Sequence, residues 1–189
     1  MNDSKLIKQL LTPYDLSHEK IRVGSEHDGG YVISKTFLDL YTDAVYSLGI
    51  GYDCNFDLEL ANRGYRIFQY DGSVPDTPAQ HENFVFQSLM MDHQLLTSEV
   101  IKNNHENSNL LLKMDIEGGE YSLLYHLDPH ILNRFSQIVF EMHGVTYASN
   151  LEMFLEKLNS RFILTHIHAN NNEQEQVDSI PNVLELTFV

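Results

Sequence analysis

Apolar positions in Lys5–Leu11 fall at helical spacing: Leu6, Ile7, Leu10 and Leu11 share one side, and Pro13 closes the segment. Beyond it the pattern alternates between short β-prone runs and amphipathic ones. Gly30–Ser34, Ala44–Leu48, Arg66–Tyr70, Phe84–Leu89, Asn109–Asp115, Gln137–Met142, Phe162–His168 and Val183–Val189 have the compact apolar make-up of strands. Asp57–Arg63, stopped by Gly64, and Ser98–Asn103 and Gly119–Leu127 are expected to be helices. Leu151, Phe154, Leu155 and Leu158 mark one face of a further amphipathic helix.

Strands that alternate with helices imply right-handed crossovers and a mostly parallel sheet. The last two strands have no helical pattern between them, so they are expected to pair as an antiparallel hairpin at one edge. The fold class predicted is α/β: a Rossmann-like, seven-stranded, mostly parallel sheet with a C-terminal antiparallel hairpin. The polar stretches Asn103–Asn109 and Asn170–Gln176 are short enough to be surface loops.

Length changes this picture little: 189 residues suit one domain with one sizeable core. The expected division is residues 1–40 as an N-terminal helix and lid-like segment, and 44–189 as the sheet. Charge narrows the partners. A formal net charge of −15, from 27 acidic against 12 basic residues, repels phosphate backbones and anionic lipid, so no nucleic-acid or membrane partner is expected. Cys54 is the one cysteine, which excludes an intramolecular disulfide. Without an apolar leader or a membrane-length apolar run, a cytoplasmic protein is expected.

Candidate chemistry starts at Val45-Tyr-Ser-Leu-Gly49-Ile-Gly51-Tyr-Asp53, a strand running into a glycine turn. Gly49 and Gly51 allow the backbone to bend tightly and approach a ligand. Asp71 follows at the end of the next strand, the place where an acidic residue can accept from both hydroxyls of an adenosine ribose. The alternative for Asp71-Gly72 is a plain turn. NAD and S-adenosylmethionine both carry that ribose, and the loop discriminates between them. A dinucleotide site wants a third glycine where Cys54 stands, and Asp53 puts an anion beside the diphosphate position. S-adenosylmethionine has a cationic sulfonium and amino group and no phosphate, so acidic neighbours favour it.

Several of these segments resemble the FkbM-type family of S-adenosylmethionine-dependent methyltransferases. They are Arg22-Val-Gly-Ser-Glu-His-Asp28-Gly-Gly-Tyr31, Leu48-Gly-Ile-Gly51 and the strand ending in Asp71. Leu112-Lys-Met-Asp115-Ile-Glu117-Gly-Gly-Glu120 is close to that family's Lys-x-Asp-x-Glu-Gly-x-Glu signature, and Phe140-Glu-Met-His143-Gly144 and His166-Ile-His168-Ala-Asn-Asn171 extend the match. The resemblance implies a class I methyltransferase sheet and methyl transfer to a hydroxyl of a sugar or related small metabolite. The chain is compact for that family and ends on a strand, so no specificity domain is expected beyond Val189.

Methyl transfer to a hydroxyl needs the acceptor positioned and its proton removed. Three strand ends offer groups: Asp115 and Glu117, Glu141 and His143, and His166 and His168. Residues two apart on a strand share a face, which makes Glu141/His143 and His166/His168 candidate pairs. His143 is the expected general base, because an unperturbed imidazole titrates near neutral pH. Asp115 is expected near the cofactor's methionyl part or the acceptor. The competing arrangement is a divalent metal on Asp115, Glu141, His143 and His168. Glu117 and Glu120 have a second possible role, stabilising a helix N-terminus, as His166 and His168 have in capping a turn. Tyr31 is placed as a lid over the cofactor, or in an ordinary turn. Adenine recognition is placed at Leu89-Met90-Met91-Asp92, with Asp92 accepting from the exocyclic amine. An NAD-dependent oxidoreductase and a non-catalytic S-adenosylmethionine-binding protein are the alternative functions.

Overall fold

A computed structural model describes residues 4–170, 176–177 and 179–189. Asn171 and the rest of residues 171–175, expected to be loop, lie outside the described residues, as do residues 1–3. Along the chain come α1 (Ser4–Leu10), β1 (Lys20–Gly24), β2 (Gly30–Ser34), α2 (Lys35–Tyr41), β3 (Ala44–Leu48) and α3 (Asn55–Asn62). There follow β4 (Arg66–Tyr70), β5 (Phe84–Gln87), α4 (His93–Lys102), β6 (Leu110–Met114), α5 (Glu120–His126) and α6 (Pro129–Leu132). The last elements are β7 (Phe135–Met142), α7 (Leu151–Asn159), β8 (Leu164–Ala169), β9 (Gln176–Val177), β10 (Ile180–Pro181) and β11 (Leu184–Phe188).

Seven strands form one sheet in the order β5-β4-β3-β6-β7-β11-β8. β3 pairs parallel with both β4 and β6, and β11 runs antiparallel to both β7 and β8. Numbered within the sheet the order is 3-2-1-4-5-7-6, the winding of class I methyltransferases, and the expected terminal hairpin is present. β11 lies inside β8 rather than at the edge. Strand order reverses at β3 and β6, which opens a crevice beyond their carboxyl ends.

Both faces of the sheet are covered, which explains why β3 and β6 are buried at every position and carry apolar runs rather than alternation. Tyr46, Leu48, Leu112, Met114 and Phe140 pack on the side of α1, α4, α5 and α7. Val45, Leu111 and Val139 pack on the other side with α2, α3 and the β1–β2 hairpin. The hairpin is therefore part of a core layer.

The sequence pattern misses β1, α2 and α6, and it starts α4 too late. That helix begins at His93 because the Asp92 side chain caps it, accepting from Gln94 N and Leu95 N, both at 2.8 Å. Among the described residues no helix is long and apolar enough to cross a membrane.

Candidate active site

The glycine turn leaves β3 at Gly49 with φ +76°, and a Cβ there would lie 1.6 Å from the Asp115 carbonyl oxygen. Only glycine permits this approach of the two central strand ends. Lys113, buried on β6, donates from Nζ to the Gly49 carbonyl and locks the approach from below. Asp71 closes the loop from β4. Its Oδ2 accepts from Ile50 N and Gly51 N, each at 2.7 Å, while Oδ1 accepts from Ser73 N at 2.7 Å and Ser73 Oγ at 2.6 Å. Burial pulls the Asp71 pKa upward, but the donors from Gly51, Ser73 and Ile50 outweigh it and lower it.

Asp71 stands at the strand end where the ribose role is expected of it, and it has a structural role there as well. A carboxylate has about four acceptor positions, and here four protein donors use them, so Asp71 first clasps the glycine loop. The residues expected at the adenine also have structural partners. Asp92 spends Oδ1 on its helix cap, and Met90, 70% exposed, lies over Gly72, where a Cβ would be 2.4 Å from Met90 Cγ.

Beside the loop is a cleft of about 200 Å³, lined by Asp28, Gly29, Asp53, Asp57, Lys113 and Asp115 among others. Asp28 and Gly29 of the β1–β2 hairpin turn form part of its wall. Tyr31 is no lid: it is 1% exposed, its ring edge-on to Phe56, and its hydroxyl donates to Asp115 Oδ2 at 2.8 Å. Burial, then the Asp115 charge, raises the Tyr31 pKa, so the phenol keeps its proton. Asp53 Oδ1 accepts from Asn55 N at 2.7 Å, which places a carboxylate at the amino end of α3.

Across Asp115 lies a larger cavity of about 620 Å³ between α5 and the segment after β7. Glu117, Tyr121, His143, Tyr147 and Phe154 line it. β7 ends at Met142, so the strand pleat does not govern His143. Its Nδ1 lies 3.3 Å from Glu120 Oε1, and its Nε2 lies 3.5 Å from Glu117 Oε2 and 3.9 Å from Asp115 Oδ1. Glu120 is fully buried at the start of α5 and also accepts from Ile116 N and Gly118 N, the helix-start role expected of it. Glu117 is different. Its backbone is left-handed, φ +55°, and its side chain is 86% exposed toward the imidazole.

These neighbours bear on the base assignment. Burial alone lowers the His143 pKa, but the hydrogen bond to Glu120 and the charges of Glu120, Glu141 and Asp115 lift it to about 9. That shift favours the protonated ring at neutral pH, which counts against His143 as the base. Glu141 goes elsewhere, accepting from Asn170 Nδ2 at 2.6 Å. Burial, then the Asp115 charge, raises its pKa to about 7.

The expected metal set is also regrouped. Asp115 and His143 meet, but their third partner is Glu117; one ligand atom from each lies within 4.8 Å of the others. Glu141 and His168 stand on β7 and β8 abreast of Glu185, and His168 Nδ1 is 3.4 Å from Glu185 Oε2. His168 lines a third cavity, about 320 Å³, with Arg22, His27, Asp28 and Glu185. On the same strand, burial first and then the Lys20 charge lower the His166 pKa.

No protein-family model matches the chain, and no curated protein matches it. A solved structure of the 16S rRNA (adenine(1408)-N(1))-methyltransferase W203A mutant with cosubstrate SAM, from Catenulisporales acidiphilia, is similar at 10% identity and a TM-score of 0.41. The match covers 91% of this chain and 96% of that one. A likeness of that degree fixes neither cofactor nor acceptor.

Proposed function

We propose that the protein binds S-adenosylmethionine at the glycine loop and transfers its methyl group to a hydroxyl of a small acceptor. The observation that carries this reading is the sign of the cleft at the β3–β6 reversal: Asp28, Asp53, Asp57 and Asp115 line it, with Lys113 the one cation among its lining residues. A sulfonium and an α-ammonium are stabilised there by Coulomb attraction, whereas a diphosphate is repelled. The Asp53 carboxylate already meets the amide at the start of α3 that would otherwise face a pyrophosphate. Both points oppose NAD. Lys113 suits the carboxylate of the cofactor's amino-acid end.

Asp115 lines the cofactor cleft, and its Oδ1 faces His143 in the larger cavity. The methyl group therefore has a short path from one space to the other. As the C–S bond breaks and the C–O bond forms, S-adenosylhomocysteine leaves with a neutral thioether sulfur, and the hydroxyl proton passes to a carboxylate at the rim. Tyr121 and Tyr147 offer aromatic faces to an acceptor ring. A sugar or related metabolite, the class implied by the FkbM-type resemblance, fits such a surface.

The test is differential stabilisation. At a hundredfold excess over its dissociation constant a ligand adds about 2.7 kcal/mol, or a Tm rise of about 5–10 °C for a chain this long. S-adenosylhomocysteine is expected to give that rise and NAD none. The reverse result rejects the methyltransferase in favour of a dehydrogenase.

A further inference from the structure

We propose that Asp115 Oδ1, Glu117 Oε2 and His143 Nε2 form a site for one divalent cation at the mouth of the larger cavity. The donors come from two strand ends, and the two less exposed ones are each oriented by a buried group outside the set. Tyr31 holds Asp115 Oδ2 at 2.8 Å, which turns Oδ1 outward, and Glu120 holds His143 Nδ1 at 3.3 Å, which turns Nε2 outward. A ligating histidine whose second nitrogen donates to a carboxylate is the usual supporting arrangement of metal sites.

Distances fit a site that tightens on binding. Metal–ligand bonds of about 2.1 Å require ligand atoms to lie about 3.0–3.4 Å apart, against 3.5 Å and 3.9 Å here. Glu117, solvent-exposed on its left-handed turn, has the freedom to supply the movement. Charge points the same way: Asp115, Glu117 and Glu120 converge on one imidazole, a surplus of negative charge that a dication offsets as it displaces the proton from His143 Nε2. Two carboxylates and one imidazole suit Mn²⁺, Fe²⁺ or Zn²⁺, and three protein ligands leave positions open toward Tyr121 and Tyr147. If the methyltransferase reading holds, an acceptor oxygen takes one of those positions.

The test uses the full chain, freed of metal with a chelator and titrated with Mn²⁺ by electron paramagnetic resonance and calorimetry. The expected result is one saturable site per chain. Glu117→Gln and His143→Gln should abolish it, Glu120→Gln and Tyr31→Phe should weaken it about 10–100-fold, and His168→Gln should leave it intact. Because Glu117 is exposed, its variant keeps the fold, which circular dichroism checks. Absence of saturable Mn²⁺ and Zn²⁺ binding by the folded protein overturns the site, as does loss of binding in His168→Gln but not in Glu117→Gln. Stabilisation by S-adenosylhomocysteine is read separately, so a failed cation site and a failed cofactor reading give different patterns.

Discussion

Asp71 Oδ2 accepts the Gly51 amide at 2.7 Å, and through this bond the end of β4 holds the ligand-facing loop of β3 in shape. Hydrogen bonds to a buried charged acceptor each stabilise by about 1.5–3 kcal/mol. Asp71→Asn puts a donor where two amides need an acceptor. It is expected to lower stability by about 2 kcal/mol, measured by urea unfolding, and to weaken S-adenosylhomocysteine binding. Ser73→Ala, which frees part of Oδ1 and leaves the Gly51 clasp alone, is expected to keep that affinity within about threefold. If both substitutions weaken binding equally, the clasp is not what matters.

The same carboxylate gives a pH dependence. Its pKa is lowered in the folded chain, so the unfolded state takes up a proton first as the solution is acidified. The stability it contributes is complete above the unfolded carboxyl pKa, near 3.9. It disappears as pH falls through the depressed folded value. The difference in unfolding free energy between wild type and Asp71→Asn should therefore shrink from pH 6 toward strong acid. A difference that stays constant contradicts the lowered pKa.

What was legible in the sequence follows the range of the interactions involved. β3 and β4 match their predicted bounds because runs such as Ala44–Leu48 are buried on both faces, and the apolar pattern encodes this locally. β1 was missed because its burial is partial and its one partner strand is β2. The late start of α4 overlooked a local signal, since Asp92 before an amphipathic run is a good N-cap. At the site, Asp115, Glu117 and His143 were all visible as candidates. Their grouping was not, because it depends on a left-handed Glu117 and on a buried Glu120 that meets His143 from 23 residues away. The upward shift of the His143 pKa arises first from the distant Glu120, with the charges of Glu141 and Asp115 adding to it.

Tyr31 separates a positioning role from a lid. Tyr31→Phe keeps the ring against Phe56 and removes the donor to Asp115. Losing a hydrogen bond to a charged acceptor, about 1.5–3 kcal/mol, should lower kcat about tenfold or more and leave the dissociation constant of S-adenosylhomocysteine unchanged. A lid would show the opposite split, with faster cofactor release and kcat retained.

The charge balance predicts what the protein will not bind. Binding to nucleic acid is driven by neutralising phosphates with Lys and Arg, and a chain of net charge −15 has no such surplus. Gel-shift titrations with structured RNA at physiological salt should show no complex at micromolar protein. A complex whose affinity falls steeply with salt would point to a concealed basic groove and to an RNA acceptor.

Two cavities compete for the acceptor. The larger one, about 620 Å³, has Tyr121, Tyr147 and His143 on its wall; the other, about 320 Å³, has Arg22, His168 and Glu185. Ser122, exposed on α5, lines only the first. Ser122→Trp should fill that space at little cost in stability, within about 0.5 kcal/mol as for ordinary surface changes. If the acceptor sits there, its KM should rise at least tenfold, about 1.4 kcal/mol, while the Tm shift with S-adenosylhomocysteine stays as in wild type. An unchanged KM in Ser122→Trp together with a raised KM in His168→Trp would move the acceptor to the β8 side. The methyl path past Asp115 toward His143 would then be wrong.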